Sequence, residues 1–285
     1  MIQKIGYILF FLVIICILIL SIYSISNKDD IHSEINKFHP LFYTTYSEFK
    51  NKYPVINSGT PIYVFYHICT VNMKIVDEQI AELINSGLYS IATKMFYGCN
   101  CSSCDTILDD YMKQYDKFTP ISSAILPDVL TYENGTINAM IDYAKSSNKK
   151  FYALYIHTKG TSNLSEAQNK WRKFMMYWLV ANHKLCIDIL NRDFYTVGLF
   201  YSSSLGLSAK HYAGNFFWAD STYLKLLTPI PIEKIGNRFN AEMTLFKKHQ
   251  KNKHITILKE TGLWGELYLH SHEIKPIENP YLAVF

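Results

Sequence analysis

The sequence predicts an α/β fold with a largely parallel central sheet, preceded by one transmembrane helix. The first part of that expectation comes from apolar, aromatic and branched runs of strand length that alternate with segments of helical periodicity. The second comes from Ile5 to Ile25, an uncharged apolar stretch long enough to cross ~30 Å of hydrocarbon as a helix.

From the N-terminus, residues 1–26 form a cytosolic tip and the membrane anchor. Lys4 and the terminal amine precede the span, and "NKDD" follows it with a negative balance. The positive-inside rule therefore leaves the N-terminus cytosolic and the rest translocated, as in a single-pass type II protein whose main domain is luminal (ER/Golgi type) or extracytoplasmic. A cleaved signal peptide ending near "SIYSIS" is the alternative, and the length of the apolar run speaks against it. Residues 27–59, punctuated by "NKFHP" and "NKYP", read as a stem before a domain over 60–285.

Within that domain "PIYVFYHICTVN" (61–72) is a buried strand that ends in polar residues. In "MKIVDEQIAELINSGLY", Ile75, Ile80, Leu83 and Ile84 lie near helical spacing until "NSG" stops the helix. "SIATKMFYG" is a second strand, and Cys99 to Leu130 mixes a loop with a short helix. "ENGTINAMIDYAKSS" places Ile137, Met140, Ile141 and Ala144 on one helix face and leads into a strand from Phe151. "EAQNKWRKFMMYWLVANHKLCIDILNRD" is the longest helical stretch, and "FYTVGLFYSSS" is another strand.

Composition narrows the function classes. Hydrophobic content of 49% and aromatic content of 15% over 285 residues describe a packed globular chain. A net charge of +4, with no basic block beyond "KK" pairs, gives no electrostatic support for nucleic-acid binding. Outside the span, Cys69, Cys99, Cys101, Cys104 and Cys186 are an odd set. The "CNCSSC" spacing suits zinc but indicates no fourth ligand, whereas an oxidising lumen favours disulfides. Asn100, Asn134 and Asn163 begin glycosylation sequons.

"FYALYIHTKGTSN" (151–163) carries the sharpest functional signal. Ligands of α/β sheets bind beyond the carboxyl ends of the strands. There His67 would end the first strand, and His157, Thr158 and Lys159 another. An ammonium at that edge suits an anionic ligand, and Gly160 lets backbone approach it closely. The structural alternative is a solvated Lys159 and a His157 bonded to a loop carbonyl. In "HYAGNFFWADSTYLKLL", aromatic faces beside amides and a carboxylate suit a sugar ring. Equally, the aromatic cluster closes the core and Asp220 caps a helix. "NRFNAEM" sets Arg238 and Glu242 one helical turn apart, as a salt bridge or as a phosphate contact beside a general base.

Taken in order, "LYIHTKG", "KWRKFMMYWL", "TVGLFY", "HYAGNFFWADSTYL" and "RFNAE" resemble a group of glycosyltransferase-like proteins. The group is related to the rhamnan-synthesis F family and occurs in algae, bacteria and large DNA viruses. The resemblance covers roughly residues 60–245 and includes "PIYVFYHI" and "EQIAELINSGLY". It implies a GT-A-like nucleotide-sugar fold and a hexosyl- or deoxyhexosyltransferase that moves a sugar from a nucleotide-sugar donor to a glycan or glycoprotein acceptor. Such enzymes usually carry Asp-x-Asp for Mn²⁺ or Mg²⁺ where this chain has His157-Thr158-Lys159, and Asp109-Asp110 is a poor substitute. No metal ligand is therefore assigned: Mn²⁺ or Mg²⁺ stays open as the cofactor, and fixed cations can take the metal's electrostatic role instead.

On this reading His67, His157, Thr158, Lys159, Gly160, Arg172 and Arg238 hold the donor phosphates. Glu242 is the first candidate base and Asp220 the second. His211, Gly214, Asn215, Phe217 and Trp218 contact the sugar or acceptor. An inactive carbohydrate-binding or assembly protein that keeps the fold is the alternative from another class. A third is a metal-dependent enzyme using His157 and distant carboxylates.

Overall fold

The structure is a computed structural model that describes residues 42–99, 104–121, 132–161, 165–202, 210–231, 234, 236–237, 239–248, 250–258 and 280–285. Contacts group Tyr43–Phe285 into one compact unit. Its start lies inside the expected stem. After β1 (Phe42–Thr45), helix α1 (Tyr46–Lys52) opens with a Thr45/Glu48 capping box and buries Phe49. The following residues are tied down as well, the Ile56 N–H donating to the Asn191 carbonyl at 2.9 Å.

β2 (Ile62–Ile68) leads into α2 (Met73–Asn85), α3 (Leu88–Ile91) and β3 (Lys94–Cys99). Next come α4 (Cys104–Met112), β4 (Phe118–Pro120), α5 (Asn134–Ser146) and β5 (Tyr152–His157). The long helical stretch divides into α6 (Glu166–Met176), a π-helical turn (Tyr177–Ala181) and α7 (His183–Leu190). β6 (Thr196–Leu199), β7 (Tyr201–Ser202), β8 (His211–Tyr212), β9 (Phe217–Asp220) and α8 (Ser221–Leu224) follow. The chain closes with α9 (Phe239–Thr244), β10 (His254–Leu258) and β11 (Tyr281–Val284).

The sheet corrects the expected fold class. It has nine strands in the order β1-β11-β10-β6-β9-β5-β2-β3-β4, and it is mixed rather than largely parallel. β2, β3, β4 and β5 run parallel, whereas β9 is antiparallel to both β5 and β6, and β11 is antiparallel to β10. The physical reason is the connection. A parallel neighbour needs a crossover, but the chain reverses between β7 and β8, which pair antiparallel, and continues from β8 into β9 between β5 and β6. The membrane helix in that expectation also finds no support. Among the described residues no helix is long and apolar enough to cross a membrane, and the stretch 5–25 lies outside them.

Helices cover both faces of the sheet. α5 buries Ile137, Met140, Ile141 and Ala144, the spacing expected of one apolar face. Its Tyr143 ring meets Tyr63, Phe96 and Phe151. On the opposite face Gln79 of α2 accepts from the Tyr66 hydroxyl at 2.8 Å, and the Trp218 indole donates to the Leu179 carbonyl at 2.8 Å.

Toward β10 a directed chain of hydrogen bonds locks buried polar groups. The Gln250 N–H donates to His254 Nε2, so Nδ1 carries the hydrogen and gives it to Thr196 Oγ1 at 2.8 Å. Thr196 then donates to the Tyr212 hydroxyl at 2.8 Å, which donates to the Ile255 carbonyl at 2.7 Å. Every member is satisfied, so the network fixes this end of the sheet without an orphaned donor.

Candidate functional site

From β2 the chain moves outward to β3 and β4, then returns to the other side of β2 as β5. This reversal opens a crevice beyond the carboxyl ends of β2 and β5, where α/β sheets hold ligands. His67 and His157 are register partners at that edge.

Backbone bonding continues past the strands. The Thr158 N–H donates to the His67 carbonyl at 3.0 Å, and Thr158 Oγ1 accepts from the Cys69 N–H at 2.7 Å. The Lys159 N–H donates to the His157 carbonyl at 2.8 Å, and Gly160 follows at φ +86°, a left-handed conformation that favours glycine. Arg172, buried on α6, donates to the Lys159 carbonyl at 3.1 Å and grips Glu78 through Nε at 3.2 Å and Nη2 at 3.1 Å. Its guanidinium is thus engaged in holding the loop. The Lys159 backbone is fixed from both directions, yet its partly exposed ammonium pairs with no acid among the described residues.

The histidines are tied inward. His67 Nδ1 lies 2.8 Å from Thr136 Oγ1 at the start of α5. His157 Nε2 donates to the Gly214 carbonyl at 3.0 Å, and its Nδ1 lies 3.3 Å from Glu133 Oε1. Glu133 joins distant parts of the chain: Oε2 accepts from the Tyr155 hydroxyl at 3.1 Å and from Asn215 Nδ2 at 2.7 Å. Burial, followed by the Glu133 charge, holds the Tyr155 phenol well above its ordinary range. Sequence reasoning missed Glu133, which shows no periodic signal beside "NGT" and finds its partners only in the fold. Glu133→Gln is expected to cost about 1–3 kcal/mol of stability, read by chemical denaturation, because one carboxylate serves several donors.

Gly214 and Asn215 shape the turn that meets His157. The Asn215 N–H donates to the Tyr212 carbonyl at 3.1 Å, with Gly214 at φ +80° and Asn215 at φ +57°. A Cβ on Gly214 would stand 2.7 Å from the Trp171 indole nitrogen and 2.3 Å from Met175 Sδ. Gly214 therefore positions the site through its backbone, and Asn215 through its backbone turn and its side-chain bond to Glu133.

Glu242 sits on α9, half-buried and without an ion pair among the described residues. Its charge acts on the buried Tyr155 hydroxyl, which places it near the end of β5. Arg238, its expected partner, lies outside the described residues.

Other expected site residues lie elsewhere. Asp220 pairs in register with Tyr152, at the opposite edge of the sheet from His157. It caps α8 by accepting from Thr222 N–H at 2.8 Å and pairs with Lys150 at 2.8 Å. Phe217 stacks on Tyr155 inside the sheet, and Trp218 is fully buried, so neither forms a sugar platform. An apolar aromatic run reads the same whether it faces a ligand or a core. His211 is buried opposite Ser202 in the β7–β8 ladder. Asn134 is fully buried and donates to the Asn237 carbonyl, so its sequon is closed to modification in the folded chain. The sequons at Asn100 and Asn163, and Cys101 within the cysteine cluster, lie outside the described residues.

Metal ligation does not fit the end of β5. The His157 nitrogens face a carbonyl and a carboxylate, and Thr158 Oγ1 already accepts a backbone N–H. Asp109 accepts from the Tyr97 hydroxyl at 2.5 Å, and Asp110 pairs with Lys113 at 2.6 Å. Beside Glu78, a cavity of about 280 Å³ opens between α2 and α6, lined by Glu78, Glu82, Lys173, Met176 and Tyr177. Burial, then the Glu78 charge, raises the Glu82 carboxyl above its ordinary value. Among the described residues, His67, His157, Thr158 and Lys159 do not line this cavity.

Residues 65–272 match a family model described as "Domain of unknown function (DUF8361)". No curated protein matches the chain.

Proposed function

Because the chain belongs to the DUF8361 family, whose description leaves activity open, we propose a function from its own residues. The protein transfers a sugar from a nucleotide-sugar donor to a glycan or protein acceptor, with the donor diphosphate seated at Lys159. The observation that carries this reading is the Lys159 ammonium, presented without an acid partner among the described residues at the β2/β5 switch point. An ammonium held there by a rigid backbone attracts an anion, and Gly160 lets phosphate oxygens approach the chain.

The acceptor hydroxyl oxygen attacks the anomeric carbon, and Glu242 takes its proton. The new glycosidic bond forms as the bond to the nucleoside diphosphate breaks. Negative charge then gathers on the departing phosphates, where Lys159 compensates it. Glu133 is the poorer base, since its oxygens are occupied by Tyr155, Asn215 and His157. Glu242→Gln is expected to lower turnover by about 10²–10⁴-fold with donor affinity retained, as loss of a general base requires.

The test uses the full chain against UDP-, GDP-, dTDP- and CDP-activated sugars with mixed glycan acceptors. Nucleotide release is followed in EDTA and in Mn²⁺. Release from one donor class in EDTA supports transfer without a divalent ion. Release that requires Mn²⁺ contradicts the role of Lys159. Donor binding with no release on any acceptor favours the inactive carbohydrate-binding alternative.

A further inference from the structure

We propose that Phe239 and Glu242 form a platform for a pyranose ring. Its assignment to the acceptor sugar rests on the transfer function above. The chain is 15% aromatic, and among the described residues most of its rings are buried or half-buried, whereas Phe239 is 53% exposed. A single exposed apolar residue is ordinary on a protein surface. Its place and its neighbour distinguish this one.

Phe239 opens α9, its N–H donating to Asn237 Oδ1 at 3.0 Å. The Asn237 carbonyl accepts from Asn134 Nδ2 at 3.0 Å, and Asn134 adjoins Glu133, which faces His157 at the end of β5. The exposed ring is thereby anchored to the rim of the β2/β5 crevice. Glu242 follows Phe239 at i+3 on α9, so a helical turn brings ring and carboxylate to one face. The Glu242 charge also reaches the Tyr155 hydroxyl at the strand end. An aromatic face takes the C–H face of a sugar, and a carboxylate beside it accepts from the ring hydroxyls. The carboxylate that binds a hydroxyl there is the one proposed to deprotonate it. The same contact then orients the nucleophile.

The test is saturation-transfer NMR on the full chain, with the methyl glycosides of glucose, galactose, mannose, rhamnose, fucose and N-acetylglucosamine. At least one glycoside is expected to receive transfer, with Phe239→Ala weakening its binding about tenfold and Phe239→Tyr preserving it. Thermal melting confirms that each variant is folded. Equal binding by folded Phe239→Ala, or no binding of any glycoside by the wild type, overturns the platform. If Phe239 is needed for glycoside binding but no donor is ever turned over, the platform stands and the transferase reading falls. If donors are turned over and Phe239→Ala leaves acceptor KM unchanged, transfer stands and the platform falls.

Discussion

Lys159→Ala is expected to reduce sugar transfer by about 10²–10³-fold, the loss seen when one fixed stabiliser of transition-state charge is removed. The fold should not register the change. The ammonium pairs with no acid among the described residues, so stability should shift by no more than about 0.5 kcal/mol. That separation of turnover from melting marks a residue that acts on a ligand. Lys159→Arg should recover only part of the activity, because a planar guanidinium replaces a compact charge on a loop that Arg172 and Thr158 already hold. Arg172→Ala makes a useful contrast. It removes the clamp between Glu78 and the Lys159 carbonyl, so it should lower stability as well as transfer.

Gly198→Ala should give the largest loss of stability, about 3 kcal/mol, or about 6 °C in Tm. A Cβ there would stand 2.4 Å from ring atoms of Tyr212. The ring has nowhere to withdraw. It is buried, its hydroxyl is bonded to Thr196 and Ile255, and Phe246 and Phe285 flank it at 5.0 Å and 6.1 Å. Glycine in a strand often marks such close approach. The double variant Gly198→Ala/Tyr212→Leu should lose less than the sum of its single changes, since both act on the same space. Chemical denaturation of the three variants measures that coupling.

Much of the framework was legible because it is written in local periodicity. β2, α2, α5 and β5 appeared near their observed positions as apolar runs or helical spacings. The capping role open to Asp220 could be read from "ADSTYLKLL". Other features depend on pairing across the fold. β9 looks like an aromatic cluster until its register with Leu154 and Val197 shows which neighbours Trp218 meets. Its direction, which makes the sheet mixed, follows from the reversal between β7 and β8, which no apolar period encodes. Glu133 was hidden for a related reason: its partners at 155, 157 and 215 converge only once β5 and the turn after β8 are assembled. Arg172 reads from the sequence as a contact for the donor phosphates, and its bond to Glu78 of α2 is not readable from either helix alone.

The central claim, an anionic diphosphate seated at Lys159, is tested most directly by calorimetric titration of the full chain with UDP, GDP, dTDP and CDP in EDTA. The account predicts that one of them binds without metal, that added salt weakens it, and that Lys159→Ala weakens it at least tenfold with the fold intact. Equal affinity in Lys159→Ala, or binding that appears only when Mn²⁺ is supplied, would contradict it.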